Sequence, residues 1–200
     1  MTTGQRGRPR SFDRTRALEQ ATLAFWEHGY EATSVADLTR AMGIGAPSLY
    51  AAFGDKKALF DEVVRSYGQT YGAYMVRALA EEPTARGAIG RILREAATEF
   101  TRPGRPHGCL AVSAAVNCST REVEEGLRER REANIAEFER RIAADVAAGK
   151  LPSGTDARAL ARYTAAVFQG MSAQARDGVG EADLRAVAEC AMRGWPGGEP

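Results

Sequence analysis

The chain has 200 residues, 27 Lys+Arg, 26 Asp+Glu and a formal charge of +1. That length suits one compact domain, or a small domain fused to a larger one, and 44% hydrophobic residues can supply a core. Three cysteines exclude a disulfide scaffold and fit a reducing compartment; no 18-residue apolar run predicts a membrane span, and residues 1–10 lack the apolar core of a signal peptide, so the expected location is the cytoplasm.

Alanine, the best helix former, occurs 37 times, and no run of four β-branched residues exists. The expected fold is all-α, with about nine helices. Asp13 to His28 reads as the first, with Leu18, Ala21, Ala24 and Phe25 on one face and Gly29 as its stop. Ser34 and Asp37 resemble a capping box for a short helix over 35–42, which ends at Gly43. A third short helix starts near Ala46-Pro47, where proline suits the first turn, and ends near Phe53-Gly54. Asp55 can cap a long fourth helix to about Glu82. Further helices are predicted over 87–101, 108–116, 121–148, 155–176 and 181–194, with a loop at 102–106.

Charge is uneven. Residues 1–16 hold five arginines against Asp13, a basic arm on a near-neutral body. An arm of that kind can touch nucleic acid or simply be solvated. The Thr33–Phe60 stretch is more informative. Two short helices on a tight glycine-bearing turn are the geometry of a helix-turn-helix, whose second helix enters the major groove. Here that helix opens with Gly45-Ala46-Pro47-Ser48, all small enough for close approach. Leu38, Ile44, Leu49 and Phe53 are its expected core.

At fixed spacing the chain carries Gly29-Tyr30, Thr33-Ser34-Val35, Ile44, Ser48-Leu49-Tyr50, Phe53, Asp55-Lys56 and Ala58-Leu59. These residues resemble the DNA-binding domain of the TetR family of bacterial transcriptional regulators. The resemblance implies a basic arm over 1–12, a DNA-binding unit over 13–60 and an effector-binding and dimerisation unit over 61–195. It implies that Thr33 and Ser34 touch phosphate or cap the helix that does, and that Gly45, Ala46, Pro47 and Ser48 face bases. Tyr50 and Lys56 would contact phosphate, and Arg40 phosphate or base. Many members carry Lys, Arg or Thr near the positions of Ala46 and Pro47. Their absence shifts the expected readout toward thymine methyls, DNA shape and the arm.

The same resemblance implies a homodimer through the last two helices. The candidate stripes are Leu160, Tyr163, Val167, Phe168 and Met171, and Leu184, Val187, Ala191, Met192 and Trp195, with ordinary intrachain packing as the other reading. A small-molecule effector, apolar or aromatic, would lie among Tyr67, Tyr71, Tyr74, Met75, Phe100, Cys109, Phe138 and Phe168. Tyr67, Tyr71 and Tyr74 would share one helical face. Cys109, beside His107 and near Arg105, is either a thiol of lowered pKa that senses electrophiles or a small buried hydrophobe. Cys118, if joined to it by one helix, sits roughly 13 Å away, too far for a disulfide. No metal site and no cofactor are expected from two histidines without a C-x-x-C.

The function expected is therefore a ligand-responsive regulator of palindromic operator DNA, most simply a repressor released by a small molecule or electrophile. The alternatives are an activator, and a helical enzyme using Cys109 as nucleophile with His107 as base.

Overall fold

The computed structural model describes residues 12–115 and 118–197. Among them the fold is all-helical: α1 (Arg14–Ala32), α2 (Val35–Met42), α3 (Ala46–Phe53), α4 (Lys56–Gln69), α5 (Ala73–Glu81), α6 (Ala85–Phe100), α7 (Leu110–Ser113), α8 (Arg121–Ala147), α9 (Ala157–Arg176) and α10 (Glu181–Arg193). The arm reading falls outside the described residues, except that Phe12 packs on Phe53 with ring centroids 6.4 Å apart.

Side-chain caps fix where helices begin. Asp13, Ser34, Asp55, Thr84 and Asp156 each accept from a backbone N–H three residues on, at 2.7–3.1 Å. Each cap is worth about 1 kcal/mol. The capping box at Ser34 and Asp37 is complete, and Gly43 ends α2 in the left-handed region at φ 67°.

Several expected boundaries move. Gly29 breaks helical geometry as anticipated (φ 77°, ψ 174°), but one more turn runs on to Ala32. The long fourth helix is two helices, α4 and α5, which is why ten elements replace about nine. The break lies at Thr70–Gly72. Thr70 turns its hydroxyl back to the Ser66 carbonyl at 2.9 Å. Gly72 packs so closely that a Cβ would stand 3.2 Å from the Gly68 carbonyl oxygen. The apolar pattern runs through this point unbroken, so periodicity alone reads one helix. The predicted helix over 108–116 shrinks to the single turn of α7.

α1, α2, α3 and the first half of α4 share a core of Phe25, Leu38, Leu49, Phe53, Leu59, Phe60 and Val63. Ile44 is only half-buried against it. Phe60 meets Phe25 and Tyr30 edge-on at 5.0 and 5.1 Å. Behind this head, α10 and α5 pack on α6, and α9 on α8. A buried carboxylate staples that body: Asp145 accepts the Ala85 amide at 2.5 Å and the Arg141 guanidinium at 2.7 Å.

Asp145→Ala leaves the α6 N-terminal amide and Arg141 unmatched in a dry site. It should destabilise the fold by about 3 kcal/mol, read as a lowered midpoint in urea denaturation. An unchanged midpoint would remove the staple.

Candidate nucleic-acid interface and its link to an internal cavity

The α2–α3 pair presents one exposed face. Ser34, Arg40, Gly45, Pro47, Ser48, Tyr50 and Ala51 lie open to solvent, with Ala46 half-buried. Tyr50 is 50% exposed although its neighbour Leu49 is fully buried. Gly45 gives α3 no side-chain cap, so nothing bulky covers the start of that helix. The Ser34 hydroxyl and amide hold the Asp37 carboxylate below the usual carboxylate range, and Arg40 reaches it at 3.0 Å.

Thr33 is a correction. It is wholly buried, and its hydroxyl donates to the Gly29 carbonyl at 2.6 Å. It closes the end of α1 rather than facing outward. Lys56 is half-buried, with its ammonium 4.2 Å from the Tyr30 ring centre, and burial lowers its pKa. Arg14, counted with the basic arm from sequence, is engaged: it forks onto Glu62 at 2.6 and 2.7 Å and covers the Phe53 ring.

The head is tied to the body at several places. Trp26 of α1 meets Tyr67 and Tyr71 edge-on at 4.9 and 5.2 Å. Arg105, ion-paired with Glu99, covers both Trp26 and Tyr71. Glu31 of the head accepts the amides of Ser119 and Thr120 at 3.0 and 2.7 Å. Thr120 has no side-chain cap of its own, so Glu31 caps α8 from across the interface. These donors lower the Glu31 pKa to about 2. The contact is complete above the ordinary carboxylate range and is lost only as pH falls through that value.

Two small cavities of about 60 and 30 Å³ adjoin behind α4. They share Met75, Cys109, Ala111, Asn134 and Phe168; Tyr67, Gly68 and Arg130 line the first, Arg131 and Phe138 the second. Of the residues named from sequence, Tyr67, Met75, Cys109, Phe138 and Phe168 line these cavities. Tyr71 belongs to the Trp26 seam, Tyr74 is buried off the cavities, and Phe100 backs Phe168 edge-on at 5.0 Å. The break between α4 and α5 means that the three tyrosines share no single helical face.

Of the two readings of Cys109, the structure carries the buried hydrophobe. The thiol is buried, and burial pushes its pKa up rather than down. His107 is exposed while Cys109 is buried. Gly108 explains the placement: at φ 77° a Cβ would stand 2.7 Å from the Ser172 carbonyl oxygen. The Cys109 amide then donates to the Ser172 hydroxyl at 2.8 Å. Cys118 is not on a helix with Cys109; its sulfur lies 3.7 Å from Glu31.

An exposed short helix on a left-handed turn, carried by a helical body, defines a helix-turn-helix DNA-binding protein. The family model of bacterial regulatory proteins of the tetR family matches residues 17–63. The chain is 35% identical over 197 residues to the HTH-type transcriptional repressor ComR of Escherichia coli (strain K12), spanning 96% of this chain and 92% of that protein. It is 29% identical over 185 residues to the HTH-type transcriptional repressor BdcR of the same organism, spanning 92% and 90%. The TetR family transcriptional regulator CifR, solved with three cysteines substituted and complexed with 26bp double-strand operator DNA, superposes with a TM-score of 0.90. It is 42% identical, covering 95% of this chain and all of that one. The chain belongs to the TetR family of bacterial transcriptional regulators.

Ser48→Ala and Tyr50→Ala change exposed side chains outside the core. Each should weaken operator binding about tenfold, roughly one lost contact, with thermal unfolding unmoved. Unaltered affinity in both would show that α3 is not the reading helix.

Proposed function

We propose that this regulator is a homodimeric repressor whose two heads, residues 13–60 of each protomer, hold a near-palindromic operator. A small molecule or electrophile entering the cavity behind α4 releases it. The observation that carries the reading is the exposed Pro47–Ser48–Tyr50 face on a fold that superposes on CifR, a regulator solved on operator DNA. ComR and BdcR, both named repressors, favour repression over activation. Ser34, Tyr50 and Lys56 take phosphates; Gly45, Ala46, Pro47 and Ser48 face bases; Arg40 lies at the edge of the face.

The dimer uses α9 and α10, but of the apolar stripes only Tyr163 and the half-buried Val187 belong to its faces. Phe168, Met171, Leu184, Ala191, Met192 and Trp195 are buried within the chain. The outward face of α9 is Ala159, Tyr163, Ala166, Gly170 and Ala173, spaced alternately by four and three. That of α10 is Ala182, Ala186 and Cys190, with Val187 half-buried beside them. Such spacing forms a seam for a partner helix, and small side chains allow close approach. A Cβ on Gly170 would meet nothing within 4 Å of its own chain. An open groove of about 610 Å³ at the base of α9 shares Ala159 and Tyr163 with this face. Two linked heads multiply affinity through effective concentration.

The Cys109 geometry does not favour the enzyme reading. A nucleophile needs a base within reach, and the buried thiol and exposed His107 do not supply that pair. As a sensor, Cys109 needs only to be met by an electrophile inside the cavity. Cys109→Ser should abolish release of DNA by N-ethylmaleimide. Release that persists would place the reactive thiol at Cys118 or Cys190.

Fluorescence anisotropy against the DNA flanking its own gene tests the whole reading. A dimer neutralising about eight phosphates gives a log–log salt slope of roughly −7. Gly170→Leu should yield folded monomers in sedimentation and a slope of roughly −4, the value for one head. Absence of binding by a folded dimer at low salt would overturn the reading.

A further inference from the structure

The walls of the two cavities are apolar on most sides, yet two guanidinium groups line them and no aspartate or glutamate does. Arg131 is committed: it donates to the Ala111 carbonyl at 3.0 Å. Elsewhere on α8, Arg121, Arg140 and Arg141 are paired with Glu125, Glu137 and Asp145. Arg130 differs from them. Among the described residues it has no carboxylate partner, and its guanidinium packs against Gly68 of α4 with Nη2 foremost. A Cβ on Gly68 would stand 1.9 Å from its Nη2 atom. A glycine inside a helix costs about 1 kcal/mol relative to alanine. At this position it makes room for one charged head group.

A half-buried cation without a counter-ion in apolar surroundings costs free energy that an anion can recover. A guanidinium is the side chain best shaped to hold a planar carboxylate through two parallel hydrogen bonds. Asn134, beside Arg130 on the cavity wall, offers amide donors for a remaining lone pair. Met75, Phe138 and Phe168 supply the surface for an apolar remainder.

We propose that the effector is a small carboxylate with an apolar body, its carboxylate paired with Arg130 and its body against Met75, Phe138 and Phe168. The proposal names the ligand class of the effector site above and rests on that reading. Binding draws the guanidinium off Gly68, and with it the α8 contact to α4.

The test uses isothermal titration calorimetry on the full-length protein with butanoate, hexanoate, octanoate and hydrocinnamate, each against its primary amide. For at least one pair the acid should bind tenfold or more tightly than the amide, the scale of one charge-assisted contact. R130Q should erase that preference and R130K should keep part of it, with thermal melts confirming that both variants are folded. Acids and amides binding alike, or a preference that survives in R130Q, would overturn the anionic class while leaving an effector cavity in place. Binding by neither member of any pair would count against the cavity as an effector site altogether.

Discussion

α4 is the one helix that joins the two candidate sites, the exposed face of the head and the internal cavity. Asp55 caps its start, where Lys56 rests on Tyr30 at the DNA-facing side. Leu59, Phe60 and Val63 fill the core of the head. Tyr67 and Gly68 line the cavity. Fourteen residues span roughly 21 Å. Such a helix does not stretch, so a displacement at Gly68 must become a rotation or translation at Lys56. The head cannot answer independently, because Phe60 of this helix packs edge-on against Phe25 and Tyr30 of α1.

The bonds that hold α1 to its neighbours differ in weight. The Arg14–Glu62 pair is half exposed on the arginine side, and such pairs contribute at most about 1 kcal/mol. The edge-to-face contacts of Trp26 with Tyr67 and Tyr71 add about 0.5–1.5 kcal/mol each beyond their buried area. The aromatic seam therefore sets how firmly α1 follows α4. The Glu31 contact adds direction rather than strength. It joins the head to the first turn of α8, and α8 also carries Arg130, Arg131 and Asn134 into the cavity wall. The cavity thus touches the head by two routes, along α4 and along α8.

What could be read from sequence was what local rules decide. α2 and α3 were legible to within about a residue, because the Ser34 cap, Gly43, Pro47 and Gly54 mark their ends chemically. The long helices α8, α9 and α10 followed from periodicity. What failed needed three-dimensional partners. Thr33 looks like a surface cap until the Gly29 carbonyl is seen beneath it. The apolar stripes on α9 and α10 were real, but most of their members turn inward, and apart from Tyr163 and Cys190 the outward face is alanine and glycine, too weakly apolar to stand out. Glu31 carried no signal, since its donors lie 88 and 89 residues away. Arg130 had one trace in the sequence: a glycine at 68, inside a helical pattern, which usually has a packing reason.

The size of the cavity bears on how release works. Together the two spaces are far below the roughly 300 Å³ of an ordinary ligand pocket. An occupant must therefore make room, and the compliant wall is the Gly68–Gly72 corner, which carries no Cβ atoms at either end and interrupts the helix between them. Cys109 and Phe168 on the far side are held by Ser172 and Phe100. In the proposed mechanism the effector's binding free energy goes into opening that corner, and the α4 rod carries the displacement to both heads. Only the difference in affinity between the closed and opened cavity shifts the population, so a ligand that fits the closed cavity equally well releases nothing. In that mechanism a tight cavity selects effectors by the work they do on α4, and a second head joined through the proposed α9–α10 seam converts that work into a mismatch with operator spacing.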